Sequence, residues 1–98
     1  MKITHPAFAG TLESSDLQVR IEPNANGGIG LSLDSSVEQQ FGQAIRQTVL
    51  QTLEMMSVRD AILTIEDKGA LDCVIKARVQ AAVLRACSQE TIDWSQMS

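Results

Sequence analysis

Residues 7–21 alternate strictly between apolar and small or polar side chains on either side of a short Ser-rich stretch, and that pattern restricts the fold most. Phe8, Gly10 and Leu12 alternate with Ala7, Ala9 and Thr11. Leu17, Val19 and Ile21 alternate with Gln18, Arg20 and Glu22. Period-2 alternation marks half-buried strands. Folding the chain back at Ser14-Ser15 sets Leu12 opposite Leu17, Gly10 opposite Val19 and Phe8 opposite Ile21. Every inward residue then meets another, a match that a one-residue slip destroys. The expectation is a β-hairpin with Ser14 at an exposed tip. A four-residue loop over residues 13–16 keeps this parity and separates the like charges of Glu13 and Asp16.

The rest of the chain extends the sheet and covers it. Pro23-Asn24-Ala25-Asn26-Gly27-Gly28 is a cluster of chain breakers and reads as a loop. Ile29, Leu31 and Leu33 alternate with Gly30, Ser32 and Asp34, giving a third strand, and three strands joined by short loops are most simply an antiparallel meander. Ser35, with Glu38 three positions on, has the form of a capping box at a helix start. The stripe Val37, Phe41, Ala44, Ile45, Val49, Leu53 and Met56 then makes an amphipathic helix, with Leu50 and Met55 off the stripe. Residues 60–66 read as a fourth strand with Ala61, Leu63 and Ile65 on one face. After the turn Asp67-Lys68-Gly69, a second helix runs from about residue 71 to 87. One of its stripes is Leu71, Ile75, Val79, Ala82, Val83 and Ala86; a second is Ala77, Ala81 and Leu84. The order β-β-β-α-β-α implies an α+β fold: one small domain over residues 1–98, a mainly antiparallel sheet with two helices on one face, and a tail at 88–98.

Charge and cysteine usage exclude several function classes. Eight basic and twelve acidic residues, net charge −4, are spread along the chain, which argues against nucleic acid as a partner. No apolar run reaches transmembrane length, and no apolar signal core follows Lys2, so neither a membrane nor secretion is expected. Cys73 and Cys87 fall in one helix about 21 Å apart along its axis, beyond the roughly 7 Å between Cα atoms that a disulfide allows. They point to a reducing compartment, most simply the cytoplasm. His5 is the only histidine, and with no clustered cysteines there is no metal-site pattern.

Three separated blocks carry a resemblance. The first is Ala9-Gly10-Thr11-Leu12-Glu13-Ser14 with Asp16 after it. The second runs from Ser35-Ser36-Val37-Glu38 through Gln40-Phe41-Gly42 to Ala44-Ile45-Arg46. The third is Asp67-Lys68-Gly69-Ala70-Leu71-Asp72-Cys73 with Arg78 following. Together they resemble the acyl carrier (gamma) subunit of citrate lyase over nearly the whole chain. The resemblance implies that Ser14 carries a covalent phosphoribosyl-dephospho-coenzyme A group, attached by a dedicated enzyme. It implies that the arm's thiol holds acetyl and citryl thioesters while citrate is cleaved to acetate and oxaloacetate by the alpha (transferase) and beta (lyase) subunits. The carrier itself is then no enzyme.

Read on their own, the residues agree with a passive acceptor. Ser14 also suits an ordinary turn, and it has no partner base, so a self-activated nucleophile is not expected. Glu13 and Asp16 beside it are expected to repel the anionic linkage and keep the arm extended. Asp34-Ser35 loosely resembles the phosphopantetheine site of fatty-acid carriers, but those are all-helical, and a cap explains Ser35. The turn over residues 67–72 reads either as a phosphate-binding helix start or as a connection in which Gly69 supplies a special backbone angle and an aspartate caps the helix. Cys73 is expected to be a buried helix cysteine. Arg78 and Arg85, with the second apolar stripe and Trp94, are candidates for a partner surface, although a solvated seam explains the arginines equally. The alternative function is a small adaptor domain without a cofactor.

Overall fold

A computed structural model of the chain describes residues 2–35 and 38–87, the side chains of 38–41 excepted. Its elements are β1 (Ala7–Gly10), β2 (Leu17–Glu22), β3 (Ile29–Ser35), α1 (Glu38–Met55), β4 (Ala61–Asp67) and α2 (Asp72–Ala86). The α+β expectation and the element order hold. The meander does not: the four-stranded sheet runs β1-β2-β4-β3. β1 and β4 flank β2 antiparallel to it, and β3 pairs with β4 in parallel. β3 and β4 are therefore joined by a crossover through α1, as a parallel pair requires, and β4 slots into the gap between β2 and β3. Ile62, which blurs the alternation of β4, lies exposed on the open face of this central strand.

The hairpin pairs one residue out of the expected register. Ala7 faces Ile21, Phe8 faces Arg20, Ala9 faces Val19 and Gly10 faces Gln18. Ala9 is buried with Val19 and Ile21, whereas Phe8 and Leu12 are exposed. Two causes are visible. α2 packs directly on β1, and alanines there permit a closer approach than Phe8 would. β1 also ends at Gly10, whose φ of +91° turns the chain away from the strand. An added Cβ at Gly10 would collide with the Leu17 carbonyl oxygen, so glycine is required at this point.

One sheet face carries the core. Leu17, Val19, Ile21, Leu63 and Ile65 are fully buried against Ile45, Val49 and Leu53 of α1 and Ile75, Val79 and Val83 of α2. Burial of a Leu, Ile or Val side chain contributes about 1.5–3 kcal/mol, so this layer dominates stability. Leu50 and Met55 are exposed, in keeping with their place off the stripe. α1 ends in a Schellman closure: the Val58 N–H donates to the Leu53 carbonyl (2.9 Å) and the Ser57 N–H to that of Glu54 (3.0 Å). Ser57 takes the left-handed position usually held by glycine, with φ of 59°. No helix among the described residues is long and apolar enough to cross a membrane. Trp94 and the rest of 88–98 lie outside the described residues.

Candidate functional site

Ser14 lies in a six-residue loop, 11–16, that joins β1 to β2. Residues 12–15 are all exposed. Residues 13–16 close a tight turn in which the Asp16 N–H donates to the Glu13 carbonyl over 3.2 Å. Ser14 holds the second position and Ser15 the third, with Ser15 at φ 65°. The turn is anchored to the end of β4, because the Ser15 N–H donates to the Lys68 carbonyl and the Lys68 N–H to that of Asp16, both over 2.9 Å. The β2–β4 ladder thus continues past Leu17–Asp67 into the loop. The Ser14 hydroxyl donates to and accepts from no described residue.

Asp16 organises the loop. Its Oδ1 accepts from Arg78 Nε (3.1 Å) and from the Leu17 N–H (2.8 Å). Its Oδ2 accepts from Arg78 Nη2 (3.0 Å) and the Thr11 hydroxyl (2.7 Å). Thr11 Oγ1 accepts in turn from the Glu13 N–H over 3.2 Å. The Arg78 guanidinium, then the Thr11 hydroxyl, hold the Asp16 carboxyl down at about 2 against an ordinary 3.8, with partial desolvation opposing them. The expectation that Asp16 repels the arm as an exposed acid is therefore corrected: it is turned inward and its charge is paired. Glu13 remains as the exposed acid beside Ser14.

Asp67, fully buried at the end of β4, does the same for the neighbouring turn. Its carboxylate accepts from the Gly69 N–H (3.2 Å), the Ala70 N–H (2.9 Å) and the Ser35 hydroxyl (2.8 Å). Gly69 has the expected positive φ, 90°. The aspartate holds the turn and does not cap the helix; the N-cap position of α2 is Leu71, with no side-chain bond. Ser35 is the last residue of β3. The capping-box reading of Ser35 with Glu38 turns on residues 36–41, outside the described side chains.

The two arginines of α2 are committed within the chain. Arg78 grips Asp16, and Arg85 Nη1 donates to the Phe8 carbonyl over 2.9 Å. Ala81 packs on the core, and Leu84 is half-buried. On this side of α2, Arg78 and Arg85 are thus engaged by the loop and β1, while Ala77 is exposed. Cys73 is exposed and Cys87 buried, which reverses the expectation for Cys73, and no disulfide links them. His5 sits near the start of the chain, with Nε2 2.7 Å from the Arg85 carbonyl. Among the described residues no cluster of His, Cys, Asp or Glu is arranged to hold a metal. The Asp16–Arg78 pair is not legible in the sequence, where its signal is a single acid after the motif serine and a cation on the seam of α2.

An exposed serine on a tied turn, with no base of its own, suits a chain that is acted upon. The family described as malonate decarboxylase delta subunit, a group of acyl carrier subunits, matches residues 4–86. The chain belongs to this family and, within it, to the citrate lyase acyl carrier proteins. It is 78% identical over 98 residues to the citrate lyase acyl carrier protein of Vibrio cholerae serotype O1 (strain M66-2), with both chains covered completely. It is 55% identical over 95 residues to citrate lyase acyl carrier protein 2 of Salmonella paratyphi A, covering 97% of this chain and 98% of that one. A chain in the crystal structure of a Pseudomonas malonate decarboxylase hetero-tetramer in complex with malonate shares the fold, with a TM-score of 0.67 over 89% of this chain and 93% of that one, at 18% identity. The chain is accordingly an acyl carrier rather than a catalytic subunit, carrier being the role that the names of its relatives give.

Proposed function

We propose that Ser14 is the point at which this carrier bears a covalent phosphoribosyl-dephospho-coenzyme A group, and that it serves the alpha (transferase) and beta (lyase) subunits of citrate lyase. The observation that carries this reading is the exposed Ser14 hydroxyl, uncommitted among the described residues, on a turn whose base is tied down on both sides. The hydroxyl is accessible to an attaching enzyme and breaks no native hydrogen bond when it is derivatised. Ser35 fits less well, because its hydroxyl already donates to the buried Asp67. Asp16 is held ionised and occupied by Arg78, so the base that removes the Ser14 proton belongs to the attaching enzyme.

When attached, the group supplies a terminal thiol on which acyl groups are carried between active sites. The protein's part is to hold the base of the arm on a rigid globule, which raises the effective concentration of the tethered group at each subunit. Exposed Glu13 repels the anionic linkage and directs it outward. Cys73 and Cys87, not joined by a disulfide, favour a reducing compartment such as the cytoplasm. Family membership weighs against the cofactor-free adaptor.

Production of wild type, Ser14→Ala, Ser15→Ala and Ser35→Ala alongside the attaching enzymes, followed by intact mass and peptide mapping, tests the assignment. Ser14→Ala alone is expected to lack the added mass and to support no citrate cleavage. The group found on Ser15 or Ser35, or Ser14→Ala still loaded and active, overturns it.

A further inference from the structure

We propose that Arg78 is a positioning residue for attachment of the arm: by gripping Asp16 from α2 it fixes the turn that presents the Ser14 hydroxyl to the attaching enzyme. This inference rests on the assignment of Ser14 above.

The contacts form a relay that ends beside Ser14. Arg78 makes two parallel bonds to Asp16, at 3.1 and 3.0 Å. Asp16 receives the Thr11 hydroxyl, and Thr11 Oγ1 receives the Glu13 N–H, one residue before Ser14. The Asp16 carboxylate is then full, since each oxygen takes two donors and an ionised carboxylate has about four acceptor sites. Residues 12–15 are exposed, and none of them belongs to the hydrophobic core or packs against it. Gly10 completes the device. A Cβ there would meet the Arg78 Cδ at 3.3 Å as well as the Leu17 carbonyl, so the bare glycine leaves space for the arginine stem on its way to Asp16.

Attachment forms a Ser14 Oγ–P bond while the precursor's P–O anhydride bond breaks. The leaving phosphate group departs with the electron pair, and the hydroxyl proton passes to a base of the attaching enzyme. Oγ must therefore approach the phosphorus nearly in line with that leaving group. A loop already ordered avoids the entropy of ordering at each encounter. A planar guanidinium does this by engaging both carboxylate oxygens, which a lysine ammonium cannot reproduce. Arg85 supplies an internal control. It lies on the same helix and also bonds to the β1 segment, but through the Phe8 carbonyl, away from the turn.

The test measures loading by intact mass against time, with purified attaching enzyme and the activated phosphoribosyl-dephospho-coenzyme A precursor, over a range of carrier concentrations. Wild type, Arg78→Gln, Arg78→Lys, Arg85→Gln and Ser14→Ala are compared, and amide hydrogen exchange is followed on the unloaded proteins. Arg78→Gln is expected to lower kcat/KM for loading roughly tenfold, with partial recovery in Arg78→Lys and a near wild-type rate in Arg85→Gln. Exchange at Glu13 and Ser15 should quicken while Val19 and Ile65 keep their protection. If Arg78→Gln loosens Val19 and Ile65 as well, Thr11→Val, which cuts the relay beyond Asp16, carries the same expectation. Wild-type loading in these variants, a loss no greater than that of Arg85→Gln, or unchanged exchange in the turn overturns the positioning role. Where one of these results overturns the positioning role, an unloaded Ser14→Ala leaves the assignment of Ser14 standing; a loaded Ser14→Ala overturns that assignment and the positioning role together.

Discussion

Replacing Asp16 by Asn keeps the side chain's size and removes its charge, and the effect on stability should depend on pH in a defined window. In the folded chain the Asp16 carboxyl titrates at about 2, against 3.8 in the absence of its partners, chiefly because of Arg78 and Thr11. Each pKa unit corresponds to about 1.4 kcal/mol, so the full shift corresponds to roughly 2.4 kcal/mol. The Arg78 side chain is 40% exposed, although that of Asp16 is only 14% exposed. Solvent screening on the arginine side reduces the figure to about 1–2 kcal/mol. The folded value is depressed, so the contribution is complete above the unfolded value near 3.8 and is lost as pH falls toward about 2. Urea unfolding of wild type and Asp16→Asn through this range measures the difference directly, and the other carboxylates largely cancel in it. The gap should be about 1–2 kcal/mol at neutral pH and should close between about pH 4 and pH 2. A gap that is already absent at neutral pH, or that stays constant down to the acid limit, refutes the charge-pair reasoning.

Two further outcomes follow from the same end of the molecule and from α2. Gly10→Ala places a side chain at φ +91° and against the Leu17 carbonyl; left-handed strain of about 1–2 kcal/mol and overpacking of about 1–3 kcal/mol should together lower stability by roughly 2–5 kcal/mol. A loss under about 0.5 kcal/mol in a urea melt, the size of an ordinary surface change, would show that the β1 end yields easily. A maleimide reagent should label exposed Cys73 promptly in the native protein, whereas Cys87, buried and with its thiol pushed up by that burial, should react only as the chain opens. Equal labelling rates would contradict the packing of the α2 end.

The strands and helices were legible because their signals are local. Alternation in residues 17–21 and 61–65 and the stripes of α1 and α2 identify residues that are indeed buried, among them Val19, Leu63, Val49 and Val79. Register and strand order were not legible, because both depend on contacts distant in sequence. Hydrophobic parity favoured Phe8 inside, yet α2 lies close on β1 and the alanines occupy that face. Adjacent strands in sequence usually neighbour in space, yet β4, with more fully buried side chains than β3, takes the central place. The motif singles out Ser14, and its exposure was legible through turn chemistry. The tie from Arg78 to Asp16 spans 62 positions, which no local pattern encodes.

The unexpected strand order is also what secures the turn. Because β4 lies between β2 and β3, its last residues reach both neighbours. Asp67 collects the Ser35 hydroxyl from β3 and the backbone of residues 69–70, and Lys68 exchanges backbone bonds with Ser15 and Asp16. In a meander, β3 would occupy the edge of β2, and the Ser14 turn would lack Lys68 beneath it. The motif then divides into two sets. Gly10, Thr11 and Asp16 are used up in shaping the loop and in receiving Arg78. Leu12, Glu13 and Ser14 are exposed. Anchoring one set to β4 and α2 leaves the other available at the surface, so the loop can be both rigid at its base and accessible at Ser14.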